Sequence, residues 1–325
     1  MHVALDTSAL DPQFRAHAIR GTGRYVAELS SRLPALLGND GELSSFRYNQ
    51  VGRGGFLDHL VDYLPAGRTT VRHQLLYPLS LSGPKISEAN LLHFPVHVDA
   101  PSWCRKPYVV TVLDLIPLIF KELYAPKKDD RRFQLARWLE LQSIKNAQAV
   151  LAISENTAKD VCELLGVPEE KLVVTPLGVD PSFFERTPHN DLLRTRFSMS
   201  SEQPIILYVG GIDQRKNISF LLECFAEVVN EFRVDQKPLP CLVMVGEISK
   251  DDQYPRFLDD IARLGIAEQV VSTGYLDDAQ LRMAYREADL FFYPSLYEGF
   301  GLPPLEAMAS GTPVLWNLIF TRSCW

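Results

Sequence analysis

Two glutamates bracket a glycine-rich stretch near the end of the 325-residue chain. Glu298 stands directly before Gly299–Gly301, and seven residues separate it from Glu306. Glycines leave backbone N–H groups accessible, and prolines suit the first turn of the helix that we predict over Pro304–Ser310, with Glu306 in that turn. Free N–H groups at a helix N-terminus bind anions and hydroxyl groups. The segment therefore predicts a site for a polar ligand, although either glutamate alone would equally well be solvated or complement the helix dipole.

A second polar group follows the strand that we predict over Ile205–Val209. The pair Gly210–Gly211 ends this strand, and Arg215 and Lys216 come just before the next predicted helix. Two adjacent cations near free N–H groups suit a diphosphate. A lone lysine here would more simply be a charged loop residue, but the carboxyl end of a parallel strand directs the loop toward a ligand.

Both motifs resemble those of the retaining glycosyltransferase family 4, and the resemblance runs from about residue 2 to residue 315. Glu298 and Glu306 match the E-x7-E motif of the family within the wording Ser-Leu-Tyr-Glu-Gly-Phe-Gly-Leu-Pro. The resemblance implies that Glu298 contacts the donor sugar and that Glu306 holds the nucleotide ribose. It also implies that the amides of Phe300 and Gly301 meet sugar hydroxyls and phosphate.

The Gly-Gly…Arg-Lys-Asn pattern is similar to the segment that this family places on the donor diphosphate. The resemblance therefore assigns Gly211 to donor binding, and Arg215 and Lys216, together with Glu298, to the catalytic residues. Glu298 would orient the sugar and would not act as a nucleophile.

A third glycine motif, Gly21-Thr-Gly23-Arg-Tyr, opens the helix predicted over Gly23–Leu37. It fails as a dinucleotide fingerprint, because Val26 stands where the third glycine belongs and no strand-end acid follows at the expected distance. It resembles instead the first glycine-rich loop of the family, in the form of the mannosyltransferase B-like branch. The resemblance implies that Gly21 and Gly23 face the donor diphosphate and the acceptor.

Three further residues are candidates for the acceptor side. Asp114 follows the apolar strand predicted over Tyr108–Leu113, at a position where many relatives carry His-Asp. Leu113 stands in place of that histidine, so no histidine role transfers, and Asp114 more simply braces its loop. His93 and His97 lie at another predicted strand end, where a structural histidine is the simpler alternative for each.

Apolar runs alternate with amphipathic stretches in both halves, which indicates parallel sheets covered on both faces. We predict an α/β GT-B architecture of two doubly wound, Rossmann-like domains that face a cleft. Residues 1–186 would form the acceptor-side domain, 187–203 a polar linker, and 204–325 the nucleotide-sugar-binding domain. Residues 40–90 read as irregular.

Composition restricts the class of protein further. A net charge of −7 argues against a nucleic-acid binder, and five scattered cysteines without a CxxC pair fit a reducing compartment. No secretory signal or membrane span is visible, so we predict a cytoplasmic location. Contact with the inner face of a membrane remains open, because Lys127, Lys128, Arg131 and Arg132 are interrupted by two aspartates. No metal site and no cofactor are predicted.

The end of the chain departs from the family after Leu315. One permitted codon choice for Trp316–Trp325, read with its first base removed, restores the Ser-Ser-Leu-Pro-Glu-Val wording that relatives carry. We hypothesise a small insertion or deletion that shifted the reading frame and truncated the protein, which would leave the second domain incomplete.

The resemblance predicts transfer of a hexose, with mannose from GDP-mannose favoured, from a nucleotide sugar to a glycan or a lipid-linked saccharide in polysaccharide biosynthesis. A cation pair and helix N-termini stabilise the leaving diphosphate without a metal. Two alternatives are a truncated remnant that only binds sugar nucleotide and an NAD-dependent oxidoreductase. The failed dinucleotide fingerprint disfavours the second of these.

Overall fold

A computed structural model describes residues 1–11, 21–51, 59, 61, 63, 71–81, 83, 86–124, 131–185 and 191–317. Contacts between Cα atoms divide the chain into two units, Met1–Pro176 and Leu177–Trp325. Each unit is built around one parallel sheet with helices on its faces. Among the described residues, no helix is long and apolar enough to cross a membrane.

The first unit contains a six-stranded parallel sheet in the order β2-β1-β3-β4-β5-β6. Its strands are β1 (His2–Asp6), β2 (Glu42–Phe46), β3 (Leu91–Phe94), β4 (Tyr108–Val112), β5 (Ala149–Ala152) and β6 (Leu172–Val174). The longer helices cover Gly21–Leu37, Arg131–Asn146 and Glu155–Leu165, and short helical turns cover Tyr48–Val51, Arg72–Leu76, Tyr77–Ser80, Ile116–Ile119 and Lys121–Tyr124.

Aromatic side chains fill the core of the first unit. Phe94 on β3 makes edge-to-face contacts with Phe46, Tyr77 and Tyr108. Phe94 and Tyr77 are fully buried, and the two other rings are almost so. Strands β3 and β4, which are mostly apolar, therefore run through the interior, and β4 corresponds to the predicted strand over Tyr108–Leu113 except for its last residue.

The second unit contains a five-stranded parallel sheet in the order β11-β10-β7-β8-β9. Its strands are β7 (Ile205–Val209), β8 (Cys241–Val245), β9 (Val270–Gly274), β10 (Leu290–Tyr293) and β11 (Val314–Trp316). Its helices cover Leu192–Phe197, Ile218–Val234, Tyr254–Arg263, Asp278–Glu287 and Leu302–Ala309.

Neighbouring residues of these strands belong to different cores. Leu207 on β7 and Val243 on β8 join one cluster, whereas Tyr208 and Leu242 join the other. Successive side chains of a strand point to opposite faces, so each face of the sheet has its own core. A continuous apolar strand is the sequence signature of this arrangement.

The division between the units differs from the predicted one, which gave 1–186 and 204–325 with a linker over 187–203. The contact boundary lies at Pro176 and Leu177, and the predicted linker contains the Leu192–Phe197 helix. The amides of Leu193 and Arg194 each donate to the Glu287 carboxylate at 2.7 Å, and Leu193 is fully buried. A polar composition concealed this helix, because its N-terminal amides bind a partner 94 residues away.

Several other features were not predicted. The stretch over 40–90 contains strand β2 and three of the short helical turns, so it is not irregular throughout. The short strands β6 and β11 were also missed. Residues 318–325, which carry most of the sequence that departs from the family, lie outside the described residues, as do Lys127 and Lys128.

Candidate active site

Each sheet has one point where the strand order reverses, and polar residues gather there. In the first sheet this point lies between β1 and β3, and in the second it lies between β7 and β10. The loops that follow two such strands leave in opposite directions, which opens a crevice at the carboxyl ends of the strands. Ligands of doubly wound sheets bind in such crevices.

Glycines allow strands β7 and β8 to approach closely at this edge of the second sheet. Gly210 and Gly246 follow these strands with φ values of 147° and 141°, a region that favours glycine. A Cβ on Gly246 would lie 2.5 Å from the Gly210 carbonyl oxygen, and backbone cannot yield as a side chain does. The Tyr208 hydroxyl donates to the Gly211 carbonyl at 2.5 Å and fixes the predicted donor-binding glycine.

The predicted cation pair lies in a single helical turn after these glycines. Gln214–Lys216 form a 3-10 turn, and Asn217 at φ 56° joins it to the Ile218–Val234 helix. The Leu296 amide donates to the Arg215 carbonyl at 2.8 Å, and the Asn217 side-chain amide donates to the Pro294 carbonyl at 3.4 Å. The loop after β7 is thereby joined to the loop after β10.

Glu298, Arg215 and Lys216 form what we call the loop cluster. The Lys216 Nζ donates to Glu298 Oε1 at 2.5 Å, and Arg215 Nη1 lies 2.8 Å from Glu298 Oε2. Lys216 Nζ also reaches the Tyr293 hydroxyl at 3.4 Å, and Arg215 Nε lies 3.2 Å from Asp213 Oδ1. The structure thus brings together the three predicted catalytic residues, of which Lys216 and Glu298 stand 82 positions apart in the sequence.

Burial and charge set the ionisation of this cluster. Burial alone would raise the pKa of Glu298, but the charges of Lys216 and Arg215 outweigh it and hold that pKa below its usual range. Burial lowers the pKa of Lys216, and the attraction of Glu298 only partly opposes this effect. Two cations therefore share one carboxylate in a site that excludes most water.

The second predicted glutamate has a separate partner. Glu306 is buried, and the Tyr285 hydroxyl donates to its Oε2 at 3.3 Å. The helix begins at Leu302, with Gly301 at φ 87° as its N-cap, so Glu306 is its fifth residue and not part of its first turn as predicted. Phe300, which precedes Gly301, is buried, and its burial holds the loop against the core.

A pocket of about 320 Å³ lies at the corresponding edge of the first sheet. Its lining comes from the segments that follow β1, β3 and β4 and includes Ala9, Thr22, Val96–Asp99, Leu113, Asp114, Pro117 and Arg137. His97 and Asp114, two of the predicted acceptor-side residues, share this pocket. Asp114 also braces its own turn, because its Oδ1 accepts from the Ile116 amide at 3.0 Å.

Glu140, Arg137 and His97 form a second charged group, which we call the helix cluster. Arg137 Nη1 lies 2.7 Å from Glu140 Oε1, and His97 Nε2 lies 3.3 Å from the same oxygen. Burial would raise the pKa of Glu140, but His97 and Arg137 together hold it below its usual range. Among the described residues, His97 Nδ1 is buried without a hydrogen-bond partner.

His93, the third acceptor-side candidate, does not line this pocket. It lies within β3, and its Nε2 meets the Thr111 hydroxyl at 2.9 Å. Burial lowers the pKa of His93 to about 4, so the ring is neutral near pH 7. The Tyr25 hydroxyl meets the same Thr111 oxygen at 3.2 Å, which makes His93 part of an internal polar contact.

The Gly21-Thr-Gly23 motif lies in the first turn of a helix and not in a loop. Gly21 and Gly23 belong to the first turn of the Gly21–Leu37 helix, which begins two residues before its predicted start. A Cβ on Gly21 would meet no atom within 4 Å, whereas Gly23 is buried. Thr22 between them lines the pocket of the first unit.

Sequence reasoning missed several residues that contact the predicted site residues. Tyr285 and Tyr293 belong to predicted core elements, and only their hydroxyl groups distinguish them from packing residues. Arg137 and Glu140 stand three positions apart on a predicted helix, a spacing that does identify an ion pair but not its link to His97. Within the described residues, no three His, Cys, Asp or Glu side chains lie close enough to hold a metal ion.

Comparison with known proteins identifies the family of the chain. The family model described as Glycosyltransferase Family 4 matches residues 19–183, and that described as Glycosyl transferases group 1 matches residues 191–318. The chain belongs to glycosyltransferase family 4, a family of transferase enzymes. This membership excludes the NAD-dependent oxidoreductase alternative.

Two curated relatives from Escherichia coli carry mannosyltransferase names. The chain is 32% identical to the serotype-specific mannosyltransferase WbdA over 214 residues, which cover 63% of this chain but only 24% of WbdA. It is 27% identical to the O-antigen chain mannosyltransferase B over 319 residues, covering 92% of this chain and 79% of that protein. The chain therefore spans about a quarter of the length of WbdA.

A solved structure establishes the fold. The crystal structure of Anabaena HepE in complex with UDP-glucose superposes with a TM-score of 0.66 at 17% identity. The match covers 98% of this chain and 81% of that one. The predicted GT-B fold class, with two Rossmann-like domains, is confirmed.

Proposed function

We propose that this chain is a retaining hexosyltransferase that moves mannose from GDP-mannose to a glycan or lipid-linked saccharide in polysaccharide biosynthesis. The observation that carries the proposal is the loop cluster, in which Arg215 and Lys216 are held side by side at the end of strand β7. The choice of mannose is supported by the names of WbdA and the O-antigen chain mannosyltransferase B.

The chemistry follows from the charges of the loop cluster. As the bond between the sugar C1 and the diphosphate oxygen breaks, negative charge grows on the diphosphate. Arg215 and Lys216 neutralise it in a site that excludes water, where such contacts stabilise a transition state most strongly. No metal is part of the proposal, because these two cations supply the compensation. Glu298 keeps both cations in position before the donor arrives.

The donor itself can accept the proton that the acceptor hydroxyl loses during transfer. The acceptor hydroxyl oxygen bonds to the sugar C1 on the face from which the diphosphate leaves, and its proton passes to a diphosphate oxygen. The products are a glycoside with retained anomeric configuration and free GDP. Glu306 would hold the ribose, with the Tyr285 hydroxyl fixing its carboxylate. The amides of Phe300 and Gly301 would meet the hydroxyls of the sugar.

The acceptor is proposed to enter the pocket of the first unit. His97, Asp114 and Thr22 offer polar groups at its wall, while Leu113 and Pro117 offer the apolar surface on which a sugar ring packs. Gly21 and Gly23 would let the first turn of their helix approach the ligand. We propose the cytoplasm as the place of reaction, since scattered cysteines suit a reducing compartment.

Donor binding and transfer test this proposal in turn. GDP-mannose, UDP-glucose and ADP-glucose are compared for their effect on the melting temperature, and the anomeric configuration of any product is read by NMR. We expect GDP-mannose to raise the melting temperature in the native chain and in Lys237→Met, but not in Lys216→Met. Lys237 is the matched control, because it is an exposed lysine of the same unit paired with Asp235.

The outcomes separate the alternatives. Transfer of mannose with retention supports the proposal in full. A thermal shift without transfer identifies a chain that binds sugar nucleotide only, and a shift with a UDP-sugar alone corrects the donor. Equal shifts in native and Lys216→Met chains would remove the loop cluster from the donor site.

A further inference from the structure

One hydroxyl group in the core of the second unit is not needed for packing. Tyr293 is the last residue of strand β10, and its ring stacks on that of Phe291 with centroids 5.8 Å apart. Both side chains are buried in the same core, and Phe291 fills its place there without a hydroxyl. Burying a hydroxyl costs free energy unless it is hydrogen-bonded. The partners of the Tyr293 hydroxyl therefore indicate what it does.

The Tyr293 hydroxyl contacts both charges of the closest ion pair in the loop cluster. Lys216 Nζ donates to it at 3.4 Å and lies 5.3 Å from the centroid of the ring, and the hydroxyl also hydrogen-bonds Glu298. Burial and the charge of Glu298 raise the pKa of Tyr293 well above its usual value, so the hydroxyl keeps its proton. An ionised carboxylate only accepts hydrogen bonds. The hydroxyl therefore donates to Glu298 and accepts from Lys216.

The Lys216 ammonium has three N–H donors and few protein acceptors. Within the part of the chain that the structure describes, its hydrogen-bond acceptors are Glu298 Oε1 at 2.5 Å and the Tyr293 hydroxyl. A single bond to Glu298 would leave the ammonium free to rotate about the bond between Cε and Nζ. The second bond, to Tyr293, fixes that rotation. One N–H then remains for a ligand, and its direction is set by the other two.

We infer that Tyr293 is a positioning residue, which holds the Lys216 ammonium so that its third N–H is directed at the diphosphate of the donor. The inference rests on the proposed function, in which Lys216 stabilises the leaving diphosphate. Donors that are oriented before the reaction stabilise a developing charge most strongly, because they need not reorient as the bond breaks. Tyr293 is only 2% exposed, so it acts through Lys216 and does not touch the donor itself.

The same bond affects the protonation of Lys216. Burial lowers the pKa of Lys216 and the charge of Arg215 adds to this, whereas the charges of Glu298 and Asp213 oppose it. Tyr208 on the neighbouring strand β7 stays neutral, because burial raises its pKa well above the usual value. A hydrogen bond to the charged form of a group favours that form. The bond to the β10 hydroxyl therefore keeps Lys216 protonated to a higher pH than it would otherwise reach.

Tyr293→Phe tests the inference, because it removes the hydroxyl and keeps the ring that stacks on Phe291 and faces the ammonium. We expect kcat for sugar transfer to fall about three- to tenfold, the loss expected for one long hydrogen bond to a charged group. The KM for acceptor should not change. The alkaline loss of activity should shift to lower pH. Steady-state kinetics across a range of pH measure all three.

A second measurement needs neither donor nor acceptor. The full chain is labelled with ¹³C in its lysine side chains, and NMR follows their titration. The Lys216 signal is the one that Lys216→Met removes. Tyr293→Phe should lower the pKa of Lys216 in this ligand-free chain. A failed transferase assay leaves this result standing, so the failure of the proposed function and the failure of the positioning role are distinguished.

Two controls separate positioning from a general loss of packing. Tyr108→Phe removes another buried hydroxyl, which donates to the Ser143 carbonyl at 2.8 Å in the first unit. It should leave kcat, its pH profile and the Lys216 titration unchanged. In a Lys216→Met chain, Tyr293→Phe should cause no further loss of turnover, because two residues that act through one interaction are not additive. Melting curves verify that each variant is folded.

Two results would overturn the inference. One is an unchanged pKa of Lys216 in Tyr293→Phe, which would show that the hydroxyl does not hold the ammonium. The other is an equal loss of turnover from Tyr293→Phe in the native and Lys216→Met chains, which would make its role structural. A lowered pKa of Lys216, together with a loss of turnover that depends on Lys216, supports the inference.

Discussion

The loop cluster and the helix cluster have similar compositions and different construction. In each, a glutamate lies between two basic groups, Glu298 between Arg215 and Lys216 and Glu140 between Arg137 and His97. The loop cluster joins residues from loops after β7 and β10, and its glutamate has 11% of its side chain exposed. The helix cluster draws two residues from one helix turn, and its glutamate is 19% exposed.

The difference teaches what each arrangement is suited for. The loops of the loop cluster contain glycines at positive φ, Gly210 at 147° and Gly301 at 87°, and under the proposed function they hold its two cations beside the diphosphate. The helix cluster takes two members from one helix, and its third member is a histidine that carries charge only when protonated. Under the proposed function it lies beside the pocket that takes the acceptor.

The largest expected effect separates the two clusters by activity. Lys216→Ala and Arg215→Ala should each lower kcat for mannosyl transfer by about 100- to 1,000-fold, because each removes a charge that stabilises the leaving diphosphate. Arg137→Ala in the helix cluster should change kcat less and raise the KM for acceptor instead. Steady-state kinetics with donor and acceptor varied in turn measure both. Near-native turnover in Lys216→Ala would contradict the assignment.

The next largest expected effect is on stability, where the loss of Glu298 should cost more unfolding free energy than the loss of Glu140. Glu298→Gln leaves two buried cations without their carboxylate and should cost about 3–5 kcal/mol in the free energy of unfolding. Glu140→Gln should cost about 1–3 kcal/mol, since its site is more exposed. Urea unfolding near pH 7 compares them, and equal losses would remove the distinction.

The stability that Glu298 and Glu140 contribute to the folded chain should decrease as the pH falls. The pKa values of Glu298 and Glu140 are both held below the usual range, so each carboxylate stabilises the folded chain above the pKa of an unfolded glutamate. That contribution is lost as the pH falls through the lowered folded-state pKa. The difference between the native chain and each glutamine variant should therefore shrink in acid.

At alkaline pH, donor affinity should depend on the protonation of Lys216. Because burial lowers its pKa, Lys216 loses its proton at a lower pH than an exposed lysine, and donor affinity should fall as the pH rises through that value. Lys216→Arg keeps its charge and should shift this alkaline loss to higher pH. Donor titrations of both chains give the measurement. Coincident alkaline profiles would show that another group titrates.

The smallest effect concerns the hydroxyl beside Glu306. Tyr285→Phe removes one hydrogen bond of 3.3 Å and should raise the donor KM by about two- to tenfold with little change in kcat. Tyr254→Phe, a tyrosine stacked on Phe257 in the same unit, is the control and should leave both constants unchanged. An unchanged donor KM in Tyr285→Phe would remove Glu306 from ribose binding.

The sequence predicted the parallel sheets well because most of their strands are predominantly apolar. Strand β7 has the predicted bounds, and β4 ends one residue before its predicted end at Leu113. The helix over Leu192–Phe197 escaped prediction, since its stability depends on Glu287, far along the chain. Local patterns cannot report a cap supplied by another element.

Local sequence patterns were also insufficient to predict part of the candidate site. Arg215 and Lys216 are adjacent in sequence, and the resemblance to the family assigned them and Glu298 to one donor site, so their grouping was predictable. His97 was only one of two histidines near a strand end, and nothing local distinguished it from His93. The structure separates them by position, with His97 at the pocket and His93 inside β3 against Thr111. The roles of both clusters in binding and catalysis stay predictions.

The backbone hydrogen bond from the Leu296 amide to the Arg215 carbonyl, at 2.8 Å, has a mechanical consequence. It ties the chain segment that carries the cations to the segment that carries their glutamate. A ligand that displaces Arg215 would therefore also displace the segment after β10, so the two segments would move together. The helix that begins at Leu302, only four residues beyond Glu298, would be displaced with them.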